Sequence, residues 1–297
     1  MSGTSPRAVR DARLVAAMLV VVLLWGGTYS GLKAVQATIP PLGLAALRAM
    51  ASALALLGIT LALGVRGPRP TWRDVRTLVL LGLSGTTVFQ LCLVGGVFFT
   101  TPSHAALMIT LSPIFAALLA WIWLGERLSG TRALGILLAL GGVVLIITRG
   151  SGLDGGSLVG DLIALGAAVA WAVYSVIGKP LIARRPPLEV SALTLLIGAI
   201  PLLVLGLPDL LVVRWSALSP GTWLLLAYLS FGAIGAGYTI WYWALARAAT
   251  ARVVAFTYLT PVVAVLVSVT AGQEPLTGVL ATGALAVIGG VIVAQLG

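Results

Sequence analysis

Ten runs of about twenty apolar residues follow one another along this chain, and no other feature limits its fold so tightly. They fall near Leu14–Lys33, Pro41–Gly64, Val75–Gly96, Ser103–Leu124 and Thr131–Thr148, then near Leu158–Ile182, Leu188–Leu207, Thr222–Arg247, Ala251–Gly272 and Leu276–Leu296. A helix crossing about 30 Å of hydrocarbon at 1.5 Å per residue needs roughly 20 apolar residues, so each run is predicted to span a membrane. Barrel strands would be about ten residues long with strict alternation, a pattern the runs lack. The first run is too long for a cleaved leader and is followed at once by further spans. The expected fold class is an all-α integral membrane protein with ten transmembrane helices. Composition agrees: 60% of residues are hydrophobic and 9% charged, against about 25% charged in a soluble domain. Cys92 is the only cysteine and His104 the only histidine, so neither a disulfide scaffold nor a zinc site is expected, and no metal or other cofactor.

The net charge of +10 does not point to nucleic acid, because the cations sit in short gaps between the runs. The even-numbered gaps and the termini hold Arg7, Arg10, Arg13, Arg66, Arg69, Arg73, Arg76, Arg127, Arg132, Lys179, Arg184, Arg185, Arg247 and Arg252; the odd-numbered gaps hold Lys33, Arg149 and Arg214. Cationic loops are retained on the cytoplasmic side. Fourteen against three therefore predicts both termini in the cytoplasm and a multi-pass protein of the cell's inner, cytoplasmic membrane. No gap is long enough for a soluble catalytic domain.

The chain also repeats itself. Trp25 and Lys33 recur 146 residues later as Trp171 and Lys179, and Pro40-Pro41-Leu42 recurs at the same offset as Pro186-Pro187-Leu188. An offset of 148 brings Pro113 onto Pro261, Glu126 onto Glu274, Gly130 onto Gly278, Gly135 onto Gly283, and Gly141-Gly142 onto Gly289-Gly290. The sequence thus divides into two five-helix units, 1–150 and 151–297. Five is odd, so the second unit enters the membrane from the opposite side. Inverted repeats give inward-open and outward-open states of similar energy with a solute site near the midplane, which makes transport by alternating access the expected activity.

This arrangement resembles the EamA-type members of the drug/metabolite transporter superfamily. The resemblance is carried by Leu111-Ser-Pro-Ile-Phe with Gly125-Glu126, by Leu259-Thr-Pro-Val-Val with Gln273-Glu274, by Trp25-Gly-Gly, and by Arg48 early in the second helix. It covers essentially the whole chain and implies export of amino acids, metabolites or drugs. Amino acids come first among the expected substrates, and the direction of transport rests on the resemblance.

The candidate substrate-binding residues are Trp25, Tyr29, Arg48, Gln90, Trp171, Tyr174, Tyr238 and Tyr258. Trp25 and Trp171 lie about ten residues into their helices, at mid-membrane and away from the interfacial belt where tryptophan accumulates. Tyr29 and Tyr174 follow about one turn on, Gln90 and Tyr238 correspond through the repeat, and Tyr258 precedes Pro261. Together they suggest an aromatic-lined cavity with a few polar contacts. Arg48 has Thr194 as its repeat counterpart; a buried cation costs at least about 2.5 kcal/mol at mid-bilayer, so it should meet a partner, a watery cavity or an anionic solute. Pro113 and Pro261 each remove a helix hydrogen bond and are the candidate hinges. Trp121, Trp123, Trp241 and Trp243 are read as interfacial anchors, Lys33 and Lys179 as helix-end cations, and the Gly-Gly pairs as close-packing sites.

No acid lies at mid-membrane: Asp161, Glu126 and Glu274 sit near helix ends. Small multidrug-resistance relatives bind cations through a glutamate in their first helix, so a zwitterionic, neutral or anionic small molecule is favoured here. Movement down a gradient is the simpler expectation, with His104 as the remaining titrating group. Besides that solute the expected partner is the lipid bilayer, and a monomer is compatible with the repeat. The rival reading is an intramembrane serine protease of rhomboid type, from Gly82-Leu-Ser84-Gly85 with His104 as base. By helical rise Ser84 and His104 should stand about 15 Å apart, beyond hydrogen-bond reach. The chain is not expected to be an enzyme.

Overall fold

The computed structural model describes residues 6–124, 129–145, 156–248, 253 and 256–296. Among these, the long elements are all helical. We label them α1 (Pro6–Val35), α2 (Pro41–Ala62), α3 (Trp72–Gly82), α4 (Phe89–Phe99), α5 (Pro102–Ile109), α6 (Ser112–Leu124), α7 (Gly130–Leu145), α8 (Leu158–Ile182), α9 (Pro187–Val212), α10 (Pro220–Ala227), α11 (Gly237–Leu245), α12 (Thr260–Thr270) and α13 (Gly278–Leu296). α3 and α4 are joined without a break by a π-helical segment, Leu83–Val88, and α10 and α11 by another, Tyr228–Ala236.

Local chemistry sets these boundaries. Proline stands in the first turn of α2, α5, α9 and α10, where its missing N–H costs nothing. Thr71 and Asp74 form a reciprocal capping box at the start of α3. Gly64 and Gly272 have positive φ just after α2 and α12, and the following N–H groups turn back onto Thr60 O and Ser268 O.

Among the described residues six helices are long and apolar enough to cross a membrane: Ala12–Val35, Pro41–Ala62, Trp72–Phe99, Leu158–Ile182, Pro187–Val212 and Pro220–Leu245. The remaining apolar helices, Pro102–Ala116, Ala133–Leu145, Thr257–Thr270 and Gly278–Val293, are shorter. Each coincides with a run read from the sequence, with differences at the ends. α1 begins at Pro6, earlier than its apolar run. The fourth run is interrupted at Thr110–Leu111, so Pro113 stands in the first turn of α6 and not in mid-helix. Pro261 stands likewise at the start of α12, after a single 3-10 turn over Thr257–Leu259. The first part of the ninth run, Glu126 and the fifth run beyond Leu145 lie outside the described residues.

Packing follows the sequence repeat. α2 lies along its counterpart α9, close enough that a Cβ on Gly206 would stand 2.4 Å from Leu42 O. α7 lies along α13: a Cβ on Gly142 would stand 2.9 Å from Gly283 O, and one on Gly290 2.7 Å from Gly135 O. Small residues at these crossings let backbones touch, and of the two Gly-Gly pairs only Gly142 and Gly290 lie at the contact, while Gly141 and Gly289 meet nothing within 4 Å. α1 packs on α11 and α12, while α8 packs on α4 and α6, so each half embraces the other in the same way. Outward faces carry exposed apolar side chains, among them Leu23, Leu137, Val204, Leu224 and Leu285, as a surface bathed in lipid would.

Candidate functional site

The two π-helical segments occupy equivalent places in the repeat, and both border the same cluster of rings. A π segment carries one residue too many for the α-helical ladder and loosens it locally. In each segment the carbonyl at one equivalent position accepts a hydrogen bond from an aromatic side chain. Trp25 Nε1 donates to Ala233 O at 3.0 Å, and Tyr238 Oη donates to Gly85 O at 3.1 Å. Glycine is required where the rings press in: a Cβ on Gly85 would lie 2.1 Å from Tyr174 Cδ2, and one on Gly237 2.5 Å from Trp25 Nε1.

Around these contacts the rings form one continuous cluster. Trp25 meets Trp171 edge-on at 5.6 Å, Trp171 meets Tyr238 at 5.4 Å and Tyr174 at 5.2 Å, and Tyr174 meets Tyr242 at 5.6 Å. Trp241 joins Trp25 at 5.4 Å, and Phe89 joins Trp171 at 5.0 Å. These are the separations at which aromatic edges and faces attract. Trp241 is 3% exposed, so its reading as an interfacial anchor is corrected. Position along a helix gives depth but not face, and Trp241 and Tyr242 share the face of Tyr238 at i+3 and i+4. That spacing was the available signal. Trp243 points elsewhere and carries the Arg247 guanidinium over its ring at 4.6 Å. The side chains of Trp121, Trp123 and Lys179 lie outside the described residues.

Arg48 is 1% exposed, and its Nε and Nη1 have no hydrogen-bond partner among the described residues. It lies within electrostatic reach of the hydroxyls of Tyr238 and Tyr228. Its own turn is pinned to the second half, because Ser52 Oγ lies 2.6 Å from both Arg48 O and Ser230 O. Every carboxylate with a described side chain is engaged elsewhere: Asp74 by Arg184, Glu189 by Arg185, Asp161 by His104, Asp209 by Gly43 N and Glu274 by Ser103. A buried guanidinium with no counter-ion is costly, and such groups mark ligand sites. Gln90 Oε1, Tyr174 Oη and Tyr242 Oη are likewise buried with no hydrogen bond of normal geometry among the described residues; Gln90 neighbours Tyr238, and the Tyr174 and Tyr242 hydroxyls neighbour each other.

Of the residues read from the sequence, Trp25, Trp171, Tyr174 and Tyr238 are brought into ring contact, with Arg48 and Gln90 beside Tyr238. Tyr29 and Tyr258 are buried in the core but share none of the described ring contacts. Lys33 Nζ bonds the carbonyls of Val97, Phe98 and Thr100 at 2.9–3.1 Å, so it caps the end of α4 and not that of its own helix. Ser84 Oγ donates to Leu80 O at 2.7 Å, and His104 faces Asp161. No described hydrogen bond joins Ser84 to His104, and nothing here supports the protease reading.

Residues 13–148 and 158–295 each match the EamA-like transporter family. A probable terminal-alkyne amino-acid exporter of Streptantibioticus cattleyicolor is 31% identical over 280 residues, covering 94% of this chain and 92% of that protein. A probable amino-acid metabolite efflux pump of Escherichia coli is 29% identical over 285 residues, covering 93% and 92%. One crystal structure superposes with a TM-score of 0.68 at 25% identity, covering 96% of this chain and 97% of the other.

Proposed function

The chain belongs to the EamA-like transporter family and is a multi-pass membrane protein; on that premise we propose that it exports small metabolites, amino acids foremost, by alternating access through a central site. In this reading residues 1–150 and 151–297 are two inverted five-helix repeats with ten spans in all, and both termini lie in the cytoplasm of a cell whose inner membrane holds the protein. The observation that carries the reading is Arg48: a buried guanidinium with no counter-ion among the described residues, beside an aromatic cluster built from both halves. A solute carboxylate supplies the missing counter-ion, while the ring faces receive an ammonium or an apolar side chain. The names of the exporter from Streptantibioticus and the efflux pump from Escherichia coli support an amino-acid-like solute.

Alternating access needs two elements that can trade conformations. The paired π segments, and the interruptions that precede Pro113 and Pro261, stand at equivalent positions in the two halves and supply candidate flexing points. Tyr29 and Tyr258 are assigned to the wall that the solute meets as the halves move: Tyr29 lies one turn beyond Trp25 on α1, and Tyr258 stands in the turn that leads into α12, which packs on α1.

Counterflow of labelled amino acids in proteoliposomes, with and without a pH gradient, tests this. Saturable exchange is expected. Arg48→Ala should cut exchange of zwitterionic amino acids by roughly tenfold or more relative to uncharged analogues, the worth of one hydrogen bond to a charged group. Equal loss for both classes rejects the carboxylate role. Intact exchange in Trp25→Ala and Trp171→Ala rejects the site.

A further inference from the structure

A second polar cluster stands at the end of the bundle where α1 finishes and α5 and α8 begin. Pro102 opens α5 and Thr101 Oγ1 accepts from His104 N, which starts the helix with the imidazole turned inward. Asp161 lies one turn into α8. Glycines let the two ends close on each other: a Cβ on Gly160 would fall 2.6 Å from Thr100 N, and one on Gly156 2.4 Å from His104 Cε1. His104 Nδ1 is 3.2 Å from both Asp161 oxygens, Thr100 Oγ1 donates to Asp161 Oδ1 at 2.7 Å, and Ser157 N donates to Thr100 Oγ1 at 3.2 Å. Both His104 and Asp161 are 0% exposed, and His104 Nε2 has no partner among the described residues. α5 belongs to the first half and α8 to the second, so this contact closes one end of the seam between them.

Among the described residues the charged side chains facing the pair from neighbouring elements are Lys33 at the end of α1 and Glu274 after α12. Lys33 bonds Thr100 O and interacts electrostatically with Glu274, which accepts from Ser103 N and Ser103 Oγ. Tyr29 lies one turn before Lys33, and Cys92 of α4 packs on Gly166, more than a turn along α8 from Asp161. α6 contributes no charged group. At formal charge, Lys33, Asp161 and Glu274 sum to one negative charge with a neutral imidazole and to zero with an imidazolium. A buried cluster of zero net charge costs far less to desolvate than one carrying an uncompensated ion. Histidine is the side chain that changes charge between about pH 5 and 8. The repeat does not reproduce the device: the positions equivalent to His104 and Asp161 are Arg252 and Val15.

We propose that His104 and Asp161 form a proton-binding site that holds this end of the carrier shut when occupied. With Nδ1–H donating to Asp161, the free Nε2 lone pair takes a proton from water reaching it in the open state, and the neutral cluster then seals. Loss of that proton leaves a buried negative charge that is relieved by opening and hydration. The inference rests on the carrier reading and on its orientation, under which this end faces outward. Acidifying the outer face therefore slows the opening step.

His104 is the only histidine, so protein purified through a histidine-free tag and labelled with nitrogen-15 histidine gives a single imidazole signal that needs no substrate. That signal should change with pH, with a midpoint moved by Asp161→Asn and by Thr100→Val. In oriented proteoliposomes, bringing the outer face to about pH 5 should slow wild-type counterflow by about fivefold or more, the lower end of coupling between two sites. His104→Gln should flatten that profile, and acidifying the face that bears the termini should leave it unchanged. An imidazole that stays in one charge state, or a His104→Gln variant with the wild-type outer-pH profile, overturns the proposal. Should His104→Gln fail to fold, Thr100→Val decides: an unmoved midpoint overturns it. Absence of counterflow at every pH sinks the carrier reading, and the gating claim falls with it, whereas the imidazole signal reads the proton site alone.

Discussion

Gly85 and Ala233 stand 148 residues apart in sequence and at the same point of two π-helical segments, and each offers its carbonyl to an aromatic donor: Tyr238 Oη at 3.1 Å for Gly85, Trp25 Nε1 at 3.0 Å for Ala233. The donors come from different helices, so the symmetry lies in the acceptors. A π segment loosens the regular ladder, and the aromatic donor satisfies the carbonyl it leaves available. The rings are thereby fixed where the halves meet.

Removing a donor while keeping its ring isolates that bond. Tyr238→Phe leaves Gly85 O buried and unsatisfied and should cost about 1–3 kcal/mol. Trp25→Phe removes the bond to Ala233 O along with part of the ring and should cost at least as much. Thermal unfolding in detergent, compared with Tyr228→Phe, checks this; that control loses the 2.6 Å bond to Leu24 O and belongs to the same class. An unchanged melting temperature in Tyr238→Phe would show that the Gly85 carbonyl finds another donor.

Gly85→Ala is expected to be among the most damaging single-methyl changes in the chain, because the added carbon would sit 2.1 Å from the Tyr174 ring. Overpacking of this kind costs about 1–3 kcal/mol. Gly58→Ala, where nothing lies within 4 Å, should be neutral or slightly stabilising. Melting temperatures of the two variants, measured side by side, give the comparison.

The helices were legible in the sequence because lipid demands long apolar runs, and the landmarks Trp25, Trp171, Tyr238 and Gln90 were legible because the repeat aligns them. Trp241 was misplaced because depth along a helix does not reveal which face meets a neighbour. Tyr29 shares a face with Trp25 at i+4 yet makes no ring contact with the cluster: the cluster exists only where α1 crosses α11, and one turn further on α1 faces other elements. The His104–Asp161 contact was invisible for a different reason. It joins positions that do not correspond through the repeat, and neither periodicity nor charge tally says which helix ends meet.

The seam between α7 and α13 gives a test on adjacent residues. A Cβ on Gly290 would fall 2.4 Å from Ala139 N, backbone that cannot yield, whereas one on Gly289 meets nothing within 4 Å. Gly290→Ala should therefore destabilise by about 1–3 kcal/mol, and Gly289→Ala should not. Protease resistance of detergent-solubilised protein across a temperature series distinguishes them. Equal behaviour of the two would mean that α7 and α13 pack on a different face.

Two neighbouring arginines near the start of α9 should differ just as sharply. Arg184 pairs with Asp74 at 3.1 Å but its side chain is 55% exposed, so Arg184→Ala should change stability by less than about 1 kcal/mol. Arg185 is 3% exposed, bonds Glu189 at 2.8 Å and Pro68 O at 2.7 Å, and so ties the turn before α3 to the turn before α9. Its loss leaves Glu189 with only the N–H of Gly67, at 2.9 Å, to balance a partly buried charge. Breaking a buried pair in this way costs about 3–5 kcal/mol. Glu189→Gln should fall between the two, because the amide keeps a hydrogen bond and gives up the charge. Raising salt should move the Arg184→Ala difference toward zero and leave that of Arg185→Ala nearly unchanged, since screening reaches exposed pairs and spares buried ones. Chemical denaturation at two ionic strengths measures both effects; a salt-sensitive Arg185→Ala would place that side chain in water.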